Sequence, residues 1–145
     1  MRILLCVDDS RFSANTLRAI VTQFRTENTE VRVLHVLQPL TLLAPPEMAQ
    51  GYFPELEDLK DPARELVEST AEELRNAGFK VDTAVAVGDA RVVIIDSAAE
   101  WNADLIVVGS HGQGGIPSFL LGSVAESVAR HAKCSVEIVR TPVRS

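Results

Sequence analysis

Cysteine is scarce in this sequence: Cys6 and Cys134 are the only two among 145 residues. That excludes a disulfide framework and a zinc site built on paired thiols. Each lies in or beside an apolar run, so both read as buried thiols without a redox role. Long hydrophobic runs are also missing, and no stretch is long enough to span a bilayer. The N-terminus lacks the layout of a signal peptide and starts directly on "MRILLCV", which reads as a strand. A cytoplasmic protein with no membrane partner is therefore expected. Positive charge is in deficit, with 14 Lys and Arg against 20 Asp and Glu, a formal net charge of −6. No basic stripe appears, which argues against a nucleic-acid partner. An anionic ligand would have to be held locally, by backbone amides, a helix terminus or a metal ion.

What is present fits one globular domain over residues 1–145, with 46% hydrophobic and 23% charged residues. Five short apolar runs rich in β-branched residues read as strands, at 3–7, 31–37, 81–87, 104–109 and 135–140. The first and fourth are apolar nearly throughout, as strands covered on both faces should be. Helical patterns fall at 10–25, 62–77, 90–101 and 118–132. The second is the clearest: Ala63, Leu66, Val67, Thr70, Ala71, Leu74 and Ala77 form one stripe. Asp61 suits its N-cap, Pro62 its first position and Gly78 the residue past its C-cap. The alternation βαβαβαβαβ predicts an α/β, Rossmann-like open sheet of parallel strands with helices on both faces. Such sheets bind ligands beyond the carboxyl ends of their strands where the winding reverses, which selects the ends of the first, second and fourth strands. The segment 38–61 carries four prolines and no clear period, and reads as an irregular flap.

The fourth strand runs into "GSHGQGGIPSFLLGSV", in which Gly109, Gly112, Gly122 and Ser123 have the spacing G-x2-G-x9-G-S. Glycines let backbone N–H groups face a ligand closely, and the helix that follows adds free donors and a partial positive charge. Together they can cradle a phosphate without a lysine. The G-K-[ST] ending of a Walker loop is absent, and the glycines are spaced too widely for the dinucleotide fingerprint. Two plainer readings stand beside this one: glycines that only turn the chain, and a capping box made by Ser123 with Glu126. The first strand ends in "CVDDS". Asp8 and Asp9 there can meet a ribose hydroxyl or a phosphate-bound Mg2+, whereas Ser10 equally suits the N-cap of the next helix. His111 can reach a phosphate but is a poor candidate for catalysis, so no catalytic residue is assigned. His35, inside a strand, reads as structural, and Trp101 as packing on the core.

With the end of the first strand, the glycine turn and the closing "HAKCSVEIVR" taken together, the whole chain resembles the universal stress protein family. In its ATP-binding branch a G-x2-G-x9-G-[ST] motif contacts phosphates and ribose, and Gly109, Gly112, Gly122 and Ser123 match it. Ser110, His111 and Val124 occupy neighbouring places in the same pocket. Asp8 of "VDDS" corresponds to the family's first-strand aspartate, with Val7 beside the adenine, and Val36 of "LHV" is expected at the adenine too. The resemblance implies the strand order 3-2-1-4-5, a bound ATP, ADP or AMP with Mg2+ or Mn2+ (Asp8 approaching the metal), and a homodimer pairing the last strand, 136–140, across a two-fold axis. Two residues depart from the family's pattern. Ser135 follows Cys134 where many relatives have proline, and Glu137 stands in the pairing strand where relatives are usually apolar. Two such carboxylates would approach each other across the axis.

The function expected is that of an ATP-binding stress-response or signalling protein with at most slow hydrolysis. No lysine or arginine stands in the glycine turn to stabilise a transferring phosphoryl group. A weak ATPase or nucleotidyl-transfer enzyme and a nucleotide-free dimeric interaction module are the alternatives.

Overall fold

The apolar runs at 3–7 and 104–109 become the central strand of a five-stranded parallel sheet and one of its two neighbours. The computed structural model describes residues 1–8, 13–38, 56–110 and 121–140, with 13 and 56–60 described by backbone alone. Its elements in chain order are β1 (Arg2–Cys6), α1 (Ser13–Gln23), β2 (Glu30–Leu37), α2 (Leu56–Asn76), β3 (Lys80–Val87), α3 (Ala90–Trp101), β4 (Leu105–Gly109), α4 (Ser123–His131) and β5 (Ser135–Val139). The sheet order is β3-β2-β1-β4-β5, as expected. β1 pairs in parallel with β2, from Arg2 opposite Glu30 to Cys6 opposite Leu34, and with β4, from Ile3 opposite Leu105 to Leu5 opposite Val107. The winding therefore reverses between β1 and β4.

Alternation along each strand divides the core in two. Ile3, Leu5 and Val7 of β1 join Val31, Val33 and Val107 beneath Ile20 of α1 and Val67, Ala71 and Leu74 of α2. Leu4, Leu34, Ile106 and Val108 point the other way, onto Ile94, Ala98 and Trp101 of α3 and Ala125 and Val128 of α4. Burying a side chain of this size stabilises by about 1.5–3 kcal/mol, which makes the two layers the main support of the sheet. Trp101 packs as expected, and it carries the guanidinium of Arg32 4.6 Å above its ring. Arg32 is held there by a bidentate pair with Asp82, at 2.8 and 3.0 Å. Among the described residues no helix is long and apolar enough to cross a membrane.

The structure differs from expectation at the start of α2. The helix begins at Leu56, not at Pro62, so Pro62 lies inside it and Asp61 is no cap. Proline deletes only the bond its own N–H would make to the carbonyl of residue 58. The flanking LEDLK is rich in good helix formers, and the turn persists across the missing bond. Residues 56–61 of the segment read as a flap are thus helical, while 39–55 lie outside the described residues. The other end of α2 behaves as expected. Gly78, at φ 105°, closes the helix while its N–H donates to Arg75 O at 2.9 Å and that of Phe79 to Leu74 O at 3.1 Å.

Gly88 joins β3 to α3 at φ 147°, and a Cβ added there would stand 2.8 Å from Val93 Cγ2. Valine is stiff about χ1 and cannot swing away freely. Gly88→Ala is expected to lower stability by about 2 kcal/mol, the sum of the backbone strain and the clash. Urea unfolding checks this, and a loss under about 0.5 kcal/mol would mean the turn relaxes at little cost.

Candidate functional site

The carboxyl ends of β1 and β4 lie side by side at the reversal point, where a crevice opens in sheets of this winding. β1 continues one residue past its last strand residue: the Val7 N–H donates to Leu34 O at 2.9 Å. The Val7 carbonyl accepts from His35 Nδ1 at 2.8 Å. Because a carbonyl only accepts, this nitrogen carries the proton. The ring thereby fixes the exit of β1 just before Asp8. This bond agrees with the structural role expected of His35, and it places the ring of the "LHV" stretch at the end of β1.

On the other side, Gly109 ends β4 and Ser110 follows, 1% exposed, its N–H donating to Val139 O at 2.9 Å. The Ser110 carbonyl accepts from the Gly122 N–H at 2.7 Å, so the chain leaves β4 and returns to the same point twelve residues later. Gly122 is the N-cap of α4 and offers no side-chain bond to its first turn. Its carbonyl accepts from Glu126 N at 3.0 Å, the first bond of the helix. This corrects the capping-box reading. Ser123 is already helical and exposed, and Glu126 pairs with Arg130 at 2.9 Å instead of reaching back. By contrast, α3 is closed by its own Asp89, whose carboxylate accepts from Arg91 N at 3.0 Å. The N-cap of α4, Gly122, supplies no such side chain, and the partial positive charge of the first amides faces the crevice end of the sheet.

Apolar side chains near the crevice divide between its two faces. Val36 and Val124 pack on the cluster of Leu34, Val108 and Ala125. Val7, 5% exposed, belongs to the opposite core with Leu5 and Ile20. The structure thus brings Val36 and Val124 to one face and sends the Val7 side chain to the other, leaving its backbone at the strand end. Asp9, Ser10, His111 and Gly112 lie outside the described residues. Among the described residues no group of three His, Cys, Asp or Glu side chains can hold a metal ion. Burial raises the thiol pKa of both Cys6 and Cys134, so both stay protonated at neutral pH, in keeping with structural thiols.

Similarity to known proteins agrees with this fold. The universal stress protein YxiE of Bacillus subtilis is 30% identical over 145 residues, covering 96% of this chain and 98% of its own. The solved hypothetical protein MJ0577 superimposes with a TM-score of 0.84 at 28% identity, covering 99% of this chain and 97% of that one. The universal stress protein of Archaeoglobus fulgidus, solved in complex with dAMP, gives a TM-score of 0.70 at 25% identity, with 97% and 98% covered. The family model described as the universal stress protein family matches residues 1–140, and the chain belongs to that family.

Proposed function

We propose that this chain is an ATP-binding universal stress protein in which nucleotide occupancy, not turnover, is the functional signal. The observation that carries the reading is the closed turn at the reversal point. Gly122 N–H to Ser110 O draws both ends of the glycine segment together, and the N-cap of α4 is a glycine with no side chain to cap its first turn. Phosphates held there would meet backbone amides and a helix terminus, which suits a chain of net charge −6. The ribose and adenine would extend past Asp8 and along the end of β2 towards Val36, with Asp9, Ser10, Ser110, His111, Gly112, Ser123 and Val124 completing the pocket. The dAMP complex of the Archaeoglobus fulgidus relative supports an adenine nucleotide as the class of ligand.

A single carboxylate such as Asp8 suits Mg2+ (or Mn2+) that arrives with the nucleotide and takes most of its ligands from phosphate and water. With no lysine or arginine between Gly109 and Val124, hydrolysis would be slow at most. The same reading includes a cytoplasmic stress-response protein and a homodimer formed through β5, whose outer edge has no partner strand among the described residues.

The test is to denature the purified protein and identify released nucleotide by chromatography and mass spectrometry. About one ATP or ADP per chain is expected. A protein that is empty and also fails to bind added Mg-ATP would reduce the glycines to turn geometry.

A further inference from the structure

Among the described residues β5 pairs only with β4, which leaves one side of its backbone N–H and C=O groups without a partner strand there. At the middle of this five-residue strand stands Glu137. Its register partner is Val107, a member of the core beneath α1, so the glutamate points inward on that face. Its Oε2 is buried and has no hydrogen-bond partner. A buried, unpaired carboxylate oxygen is destabilising and does not persist without a reason.

Among the described residues neighbouring charges do not supply that reason. β4 carries no titratable side chain, and α1, which packs over this face, carries one charged residue, the exposed Arg18. Glu126, Arg130 and His131 belong to α4, which packs on the opposite face with Val136 and Ile138. Lys133 and Arg140 flank the strand and are exposed. An inward charge on an edge strand is, however, a known guard against strand addition. A strand is complementary to its own copy when the two run antiparallel about a two-fold axis. Centred on this strand, such pairing sets Glu137 against the partner's Glu137, where like charges oppose association most directly.

We propose that Glu137 sets the strength of self-association through β5, holding two copies apart while it is charged and admitting them when it is neutral. The inference rests on the homodimer reading above. With one proton between them, two facing carboxyl groups hydrogen-bond to each other, and the orphaned oxygen finds its partner. Association is then coupled to proton uptake, so it strengthens as pH falls.

Sedimentation of the wild type and of Glu137→Gln at about pH 7.5 and about pH 5 tests this. The amide keeps the shape and removes the charge. We expect Glu137→Gln to dimerise with a dissociation constant about tenfold or more below that of the wild type at the higher pH. Lowering the pH should tighten the wild type by a similar factor and leave the variant unchanged. Equal constants for both proteins, within about twofold and flat with pH, would overturn the role of Glu137 while keeping the dimer. Two proteins that both stay monomeric at either pH would remove the homodimer itself, and the inference with it.

Discussion

A glutamate in place of Gly122 is expected to weaken ATP binding by about a hundredfold, roughly 3 kcal/mol, while the sheet stays folded. The backbone does not object to a side chain there, because φ −64° and ψ 155° are open to any residue. Both backbone bonds of Gly122, to Ser110 O and from Glu126 N, also survive the change. What changes is the electrostatics of the α4 terminus. A carboxylate at the N-cap is drawn to the amides of its own helix, competing with a phosphate for the same donors and repelling it. Gly122 is buried, so Gly122→Ala serves as the milder companion, with about a tenfold loss expected from the added Cβ alone. Titration calorimetry with Mg-ATP, alongside an unfolding curve for each variant, reads both. Wild-type affinity in both variants would take the α4 terminus out of the site.

The largest expected effect on stability comes from Ile106. It is 0% exposed in β4, opposite Leu4 on one side and Val136 on the other, and packs in the layer that holds Leu34 and Trp101. Ile106→Ala removes three carbons from a place where strands on both sides prevent collapse, so a cavity remains. The expected loss is about 4 kcal/mol, a large share of the roughly 5–15 kcal/mol that holds an ordinary domain together. Val92→Ala, on α3 at 55% exposure, is the contrast, with a change of about 0.5 kcal/mol or less. Urea midpoints at constant m-value give both numbers. A loss under about 1 kcal/mol for Ile106→Ala would show that the layer closes around the deletion.

The elements were legible where pattern and packing agree. α3 spans Ala90–Trp101 as its sequence pattern indicated, and the uninterrupted apolar runs of β1 and β4 are the covered central strands. Misreadings arose where one residue supports two local structures. Pro62 is welcome at a first helical position and tolerable inside a helix, and nothing local decides between them. Gly122 and Ser123 are both acceptable N-caps, and the choice was made by a bond to Ser110, twelve residues away in sequence. Which faces Val7 and Val36 take is also decided at long range. Alternation along each strand is written in the sequence, but the register of Cys6 against Leu34, which decides the shared faces, is not.

The central position of β1 also sets an order of events. Its pairing with β2 closes a short loop, whereas its pairing with β4 joins Arg2 to Asp104 across 102 residues, through an Arg2 N–H to Asp104 Oδ2 bond of 2.7 Å. Closing the longer loop costs more entropy and waits for more chain. During synthesis β1, α1 and β2 can therefore assemble early, with one flank of β1 bare until β4 emerges. The crevice between β1 and β4 does not exist until that long-range junction forms. A ligand seated there would bind only the joined sheet, and by mass action would hold that seam shut.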